Sequence, residues 1–281
     1  MSMKFNIHRR INMDIRLPTR KRVDSYINKA SNDIIQSELH EAQEIMYDAW
    51  ECDNSFSIIQ KIKKALRKSP LCADAYTYYS ELTVDGIAKR QSYLETAVYA
   101  AEKALDAPID EFKGSCWGLI ETRPYMRARA GLASCLWELG RYDESLSHYQ
   151  QLLELNPNDN QGLRYLLSTH YLELEKVSEL EELLSQYPDE YSTFFSYTTA
   201  LIAYRKSLSS ADEKGNEAIS CNRYVPGYLS EKIKQPENSN GYITVGAPDE
   251  AIEYVNSNLL AWMRTPGAID WMATLKKKSE I

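Results

Sequence analysis

A set of arginines with aromatic neighbours contains the side chains best suited to chemistry. Arg123, Arg127 and Arg129 follow one another closely, and Arg164 lies further along the chain. A guanidinium group binds a carboxylate or phosphate through two parallel hydrogen bonds, and it also stacks on aromatic rings. The sequence therefore predicts a surface that binds a protein or peptide partner, with anionic groups favoured. The residues assigned to this surface are Arg123, Tyr125, Arg127, Trp137, Arg164 and Tyr171.

The same arginines have a structural alternative. Arg123 and Arg129 lie near Glu121 and Glu138 in the sequence, and ion pairs with these residues would only hold a loop in place. For any one arginine the structural alternative is favoured, whereas for the cluster the two interpretations are balanced.

Known catalytic and metal-binding motifs are absent from the sequence. It contains no G-x-x-x-x-G-K-[ST] phosphate loop, no G-x-S-x-G elbow, no H-E-x-x-H helix and no EF-hand loop. The five cysteines and four histidines lack the spacing of metal ligands, so neither a metal nor a cofactor is expected. A Cys–His catalytic pair stays open as an alternative, although each cysteine lies in or next to a stretch that predicts helix packing.

Composition and charge narrow the class of protein. Hydrophobic residues make up 43% of the 281 residues, which is enough for a folded core. We expect no membrane span and no secretion signal, because the chain lacks the long apolar runs that both require. Widely spaced cysteines without a C-x-x-C motif fit a reducing compartment, so a cytoplasmic protein is expected. The net charge of −7 argues against a general nucleic-acid binder.

Residues 126–159 show the clearest structural pattern, two helices joined by a tight turn. Leu132, Leu136 and Leu139 recur at the spacing of one helical face, and the second helix repeats that spacing. Gly140 suits the left-handed conformation that ends a helix. Pro157 stops the second helix, because proline has no N–H to donate.

A helix pair of about 34 residues, with an aromatic residue after the turn and a proline at the end, resembles a tetratricopeptide repeat. The resemblance implies an all-α fold, a right-handed α-solenoid of tetratricopeptide-like helix pairs with a C-terminal capping helix. In such repeats the positions held by Arg127 and Arg164 usually face the concave surface. The pairs are expected at about 35–70, 73–106, 126–159, 160–188 and 191–222, with an inserted loop at 107–125.

Several stretches outside this pattern carry a narrower resemblance. Residues 121–133, 156–162, 224–229 and 262–268 look like an uncharacterised bacterial-type repeat family that is similar to the suppression-of-tumorigenicity proteins of animals. This resemblance covers most of residues 40–272. It implies a helical repeat protein without an established enzyme activity.

The two ends of the chain differ from the repeats. Residues 1–22 carry seven basic residues and one acidic residue, so we expect residues 1–34 to form a basic, partly disordered arm. This arm is the one hint of nucleic-acid binding. Residues 223–281 are expected to form a capping tail, with an amphipathic helix at 249–275 that covers the last repeat.

The favoured interpretation is a non-catalytic adaptor that binds a protein or peptide on the concave face of the repeats. The alternative is an enzyme, or a subunit of one, that binds an anionic small molecule through Arg123, Arg127 and Arg164. Ala130 and Ser134 stand where chaperone-binding repeats carry Lys and Asn, so the C-terminus of a chaperone is not the favoured partner.

Overall fold

The computed structural model describes residues 15–83, 86–230 and 243–279, and every regular element in these ranges is helical. The all-α fold class predicted from the sequence is thereby confirmed. Two short 3-10 helices, Ile109–Phe112 and Cys116–Gly118, lie in the inserted loop. The α-helices are α1 (Arg20–Ile27), α2 (Asn32–Trp50), α3 (Ser55–Lys68), α4 (Ala73–Leu82), α5 (Ile87–Ala104), α6 (Arg123–Glu138), α7 (Tyr142–Leu155), α8 (Leu163–Glu173), α9 (Val177–Ser185), α10 (Thr193–Arg205), α11 (Ala211–Cys221), α12 (Val225–Leu229), α13 (Pro248–Met263) and α14 (Ala268–Ser279).

The chain divides into two compact units, an N-terminal unit that ends at Asn160 and a C-terminal unit that begins at Gln161. The N-terminal unit contains three successive helix pairs, α2 with α3, α4 with α5 and α6 with α7. The pairs stack, because α3 packs on α4 and α5 packs on α6. The first helices of the pairs also contact one another, α2 with α4 and α4 with α6. The surface of α2, α4 and α6 is termed the first-helix face below.

The predicted apolar face of α6 lies in the core of the N-terminal unit. Leu132 and Leu136 are buried in one cluster with Cys135 and with Leu94 of α5. Gly131 allows the close approach of these helices, since a Cβ there would lie 2.9 Å from Leu94 Cδ2. The helical period of the sequence therefore identified the buried side of α6 correctly.

The turn between α6 and α7 has the hydrogen bonds of a Schellman motif. Gly140 has a φ of 75°, and its N–H donates to the carbonyl of Trp137. The next N–H, that of Arg141, donates to the carbonyl of Leu136. The left-handed conformation predicted for Gly140 is confirmed.

Two turns of the C-terminal unit repeat this motif without glycine. After α8, Glu175 has a φ of 57°, and after α10, Ser207 has a φ of 51°. In the second turn the N–H of Ser207 donates to the Tyr204 carbonyl and that of Leu208 donates to the Ala203 carbonyl. A Cβ destabilises this left-handed conformation by about 1 kcal/mol, so both turns carry a local steric cost.

Replacing Ser207 with glycine is expected to raise the free energy of unfolding of the C-terminal unit by roughly 0.5–1 kcal/mol, because glycine adopts positive φ without that cost. Urea denaturation followed by circular dichroism measures the change. Ser209→Gly is the matched control, since Ser209 is exposed and does not have a positive φ. An equal stabilisation by both variants would contradict the assignment.

The N-terminal segment packs on the helix pairs from Ile15 onward. Ile15 and Leu17 are buried, and the Ile15 N–H donates to the Tyr79 hydroxyl at 3.2 Å. Helix α1 lies within the segment expected as a basic arm, and its Asp24 accepts a hydrogen bond from Tyr99 of α5. Residues 1–14, with much of the predicted basic arm, lie outside the described residues.

The C-terminal unit contains two helix pairs and a tail. Helix α8 pairs with α9, and α10 pairs with α11. The tail comprises three helices rather than the one expected, because Pro266 and Gly267 separate α13 from α14 and α12 precedes both. Helix α13 packs on α8 and α10, whereas α14 packs on α11 and α12.

Helix α13 is anchored by buried aromatic and polar contacts. Trp262 and Tyr254 are fully buried, and Trp262 Nε1–H donates to the Tyr254 hydroxyl at 2.9 Å. The Tyr254 ring lies 5.6 Å from that of Tyr197 on α10. Glu250 accepts hydrogen bonds from the Thr193 N–H and hydroxyl at 3.1 and 2.6 Å. The tail is therefore an integral part of the core of this unit.

Candidate partner-binding face

Arg127, the central residue of the predicted site, forms a buried ion pair with Asp74 of α4. Its Nε and Nη2 donate to the two carboxylate oxygens at 2.8 and 2.6 Å. Gln43 of α2 donates a further hydrogen bond to Asp74 at 2.7 Å. The Asp74 side chain is 1% exposed and that of Arg127 is 13% exposed. One carboxylate thus joins all three helices of the first-helix face.

Accessible aromatic rings lie beside this ion pair. The Arg127 guanidinium lies 5.3 Å from the centre of the Trp50 ring, which lies 5.4 Å from the Tyr47 ring. Trp50 is half-buried, and Tyr47 is 36% exposed. Burial, followed by the Asp74 carboxylate, raises the pKa of Tyr47, so its hydroxyl is protonated at neutral pH.

Helix α4 continues the face with Tyr78 and Glu81, which follow Asp74 at the spacing of one helical side. Tyr78 is half-buried, and burial raises its pKa to about 12. Burial of its carboxyl group, followed by the nearby charge of Asp74, raises the pKa of Glu81 to about 7, although the residue as a whole still reaches solvent. The accessible groups of this face are therefore mainly aromatic rings and the Glu81 carboxyl group, which is partly protonated at neutral pH.

Arg123 and Arg129, both on α6, bond to the inserted loop and to α7. Arg123 Nε donates to the Trp117 carbonyl at 2.9 Å. Arg129 donates to the Tyr125 hydroxyl at 2.6 Å and to His148 Nδ1 at 3.1 Å. Among the described residues, neither arginine forms the ion pair with Glu121 or Glu138 that the structural alternative predicted.

Arg164 and Tyr171 lie in the C-terminal unit. Arg164 Nε donates to Glu190 Oε2 at 3.0 Å, and its Nη2 donates to the Tyr165 hydroxyl at 2.7 Å. The guanidinium lies 4.4 Å from the centre of the Tyr165 ring. Tyr171 is buried. Like Arg127, Arg164 therefore already has a carboxylate partner within its own unit.

The predicted site thus divides between the two units. Arg123, Tyr125, Arg127 and Trp137 belong to the N-terminal unit, and the other two belong to the C-terminal unit. Within the N-terminal unit, Tyr125 is buried and Trp137 packs on Tyr142 with the ring centres 4.6 Å apart. A role of all six residues in partner binding stays a prediction.

The described residues offer few reactive groups. Four of the five cysteines are buried, and burial raises the pKa of the Cys116 and Cys135 thiols. Burial lowers the pKa of His170 to about 4, so its ring is neutral at physiological pH. Within the described ranges, no group of three His, Cys, Asp or Glu side chains is placed to hold a metal ion. None of the described helices combines the length and the apolar character of a membrane span.

Residues 127–159 match the family described as Tetratricopeptide repeat. This match covers most of α6 and all of α7, including the Schellman turn at Gly140. A crystal structure of a tetratricopeptide repeat protein from Parabacteroides merdae is similar to the chain at 19% identity, with a TM-score of 0.47. That similarity covers 86% of this chain and 99% of the other. No curated protein matches the sequence.

The residues of α2 and α4 that build this face were not predicted from the sequence. Gln43, Tyr47 and Trp50 form one stripe along α2, offset from the apolar residues that define its buried side. A row of polar and aromatic residues beside the apolar side of the same helix could have indicated, from the sequence alone, that α2 has a second functional side. Asp74 offered no such signal, because its partner Arg127 lies 53 positions away.

Proposed function

We propose that the chain is a non-catalytic adaptor that binds a protein or peptide partner on the first-helix face of its N-terminal unit. The observation that carries this proposal is the accessible aromatic pair, Tyr47 and Trp50, beside the buried ion pair of Arg127. Tetratricopeptide repeats, which residues 127–159 match, are protein-interaction scaffolds in general.

The residue types on this face are also those that contribute most binding energy at protein interfaces. Tyrosine, tryptophan and arginine are over-represented among the residues that dominate binding energy, and aromatic side chains lose little conformational entropy on binding. Arg127 restrains Trp50 through its position over the indole ring. A partner would therefore meet an aromatic surface whose orientation is already set.

We place the partner-binding site on the N-terminal unit because the tail covers the corresponding helices of the C-terminal unit. In the C-terminal unit, α13 packs on the first helices of both pairs, α8 and α10. In the N-terminal unit, Tyr47 and Glu81 of the first-helix face reach solvent. The first-helix face of the N-terminal unit is therefore the better candidate for a partner.

An enzyme that binds an anionic small molecule through Arg123, Arg127 and Arg164 has less support. Arg127 and Arg164 are already bonded to Asp74 and Glu190, and Arg123 is bonded to a backbone carbonyl. A guanidinium whose bidentate edge is occupied by a carboxylate offers little to a second anion.

The test is affinity capture from cells of the source organism with the full chain, comparing wild type with Tyr47→Ala. We expect a protein bound by wild type to be lost with Tyr47→Ala. With the purified partner, isothermal titration calorimetry should show an affinity at least about tenfold lower, the effect of removing one central aromatic residue.

Phe56→Ala is the matched control for this experiment. Phe56 is 62% exposed on α3, outside the first-helix face, so its removal alters exposed aromatic surface without altering the proposed site. Capture of the same proteins by wild type and Tyr47→Ala would contradict the proposal. Loss with both variants would show that the capture reflects general hydrophobic adhesion.

A further inference from the structure

The second half of α3 carries a run of cations that are only partly compensated. Lys61 pairs with Asp48 at 3.0 Å, and Lys68 pairs with Glu41 at 2.9 Å. Lys63, Lys64 and Arg67 form no ion pair with any described residue. Three uncompensated positive charges on two turns of helix repel one another, because residues three and four apart are neighbours.

A cleft lies between this part of α3 and the N-terminal segment. Its volume is about 340 Å³, within the range of small ligand sites. Arg16 on the opposite side is exposed, and it forms no ion pair within the described ranges. The segment that carries it is held by the buried Ile15 and Leu17 on either side. The cleft is lined by Ile15, Arg16, Leu17, Pro18, Lys63, Leu66 and Arg67, with no acidic residue among them.

The charge of this cleft contrasts with the rest of the molecule. The chain has a net charge of −7, yet no described acidic residue lines this cleft beside Arg16, Lys63 and Arg67. The neighbouring cleft between α2 and α3, which Lys64 and Arg67 also line, contains the acidic residues Glu41 and Glu44. Arg127 in the core of the same unit has its own buried carboxylate. An unneutralised concave group of cations is complementary to an anionic ligand.

We propose that this cleft binds an acidic peptide segment whose carboxylates are taken by Arg16, Lys63 and Arg67. Two guanidinium groups facing one cleft suit carboxylates, which they can bind bidentately. Pro18 and Leu66 provide an apolar wall for a neighbouring aliphatic side chain. The negative charge of the whole chain disfavours nucleic acid and anionic membranes, whose dense charge would repel the remaining surface. This site is separate from the first-helix face and does not depend on the function proposed for that face.

The test uses the purified full chain and a fluorescein-labelled peptide of sequence Glu-Asp-Glu-Leu-Asp-Glu, with fluorescence anisotropy at low ionic strength. We expect saturable binding by wild type that Lys63→Glu/Arg67→Glu weakens at least about tenfold, since charge-assisted hydrogen bonds are replaced by repulsion. The peptide Gln-Asn-Gln-Leu-Asn-Gln should not bind. Circular dichroism and a thermal melt establish that the variant is folded.

Lys21→Glu/Arg22→Glu is the matched control, because it makes the same change in net charge on exposed residues of α1. Neither residue lines the cleft, so we expect this variant to retain binding within about twofold when the titration is repeated at about 0.15 M salt, where charges outside the cleft are largely screened. Equal losses with both variants would show nonspecific attraction and overturn the proposal, as would an absence of binding by wild type. Binding of phosphatidylserine vesicles or single-stranded DNA through Lys63 and Arg67, without binding of the acidic peptide, would also overturn it.

Discussion

Replacing Arg127 with alanine is expected to lower the free energy of unfolding of the N-terminal unit by about 3–5 kcal/mol, because it leaves the Asp74 carboxylate buried without its cation. Because the Gln43 hydrogen bond to Asp74 remains in this variant, we expect a loss near the lower end of that range. Urea denaturation followed by circular dichroism measures the loss, since urea does not screen charges as guanidinium salts do.

Two further variants make the Arg127 prediction specific to the buried pair. Lys113→Ala removes an exposed cation that pairs with Glu154 at 2.8 Å, and it should destabilise the unit far less than Arg127→Ala, because exposed ion pairs contribute little to stability. Asp74→Asn/Arg127→Gln removes both charges together, so it should be less destabilising than Arg127→Ala. A loss for Arg127→Ala no larger than that for Lys113→Ala would refute a buried, stabilising pair.

This stability effect bears on experiments that test partner binding. A binding defect in Arg127→Ala would reflect both a lost contact and a destabilised unit. Tyr47 separates the two effects, because it is partly exposed and shares the face with Arg127 without taking part in the Asp74 ion pair. Partner binding is therefore better tested at Tyr47 than at the arginines that the sequence emphasised.

Replacing Trp262 with alanine is expected to destabilise the C-terminal unit by about 3–5 kcal/mol, the usual cost of deleting a fully buried large aromatic side chain. Trp262 has no exposed surface, and its indole N–H bonds to the Tyr254 hydroxyl. Chemical denaturation of the full chain should show the transition of this unit moving to lower urea while that of the N-terminal unit stays in place.

The adjacent residue supplies the control for Trp262. Met263 is 64% exposed on the same helix, so Met263→Ala should change stability by less than about 0.5 kcal/mol. Trp262→Phe keeps most of the apolar volume and gives a measurable intermediate loss if the alanine variant does not fold. A small effect of Trp262→Ala would mean that α13 is a detachable cover rather than part of the core.

Local pattern in the sequence was enough to predict the helix pair α6–α7. The recurrence of Leu132 and Leu136 identified the buried side of α6, and Gly140 identified the turn that ends it. Such signals are local, since helical period and helix termination depend on residues a few positions apart. The turns at Glu175 and Ser207 were harder to predict, because packing imposes there a conformation that the side chain itself disfavours.

By itself, the sequence determined that this chain is helical, that its helices come in pairs and which sides of them are apolar. Only the tertiary structure decided which charges meet. It assigned Arg127 to Asp74 and Arg164 to Glu190, and it left Lys63 and Arg67 facing Arg16 across a cleft. The physical reason is that the apolar period is a local property of each helical segment. Ion pairs depend instead on the distance and angle between helices that are far apart in sequence.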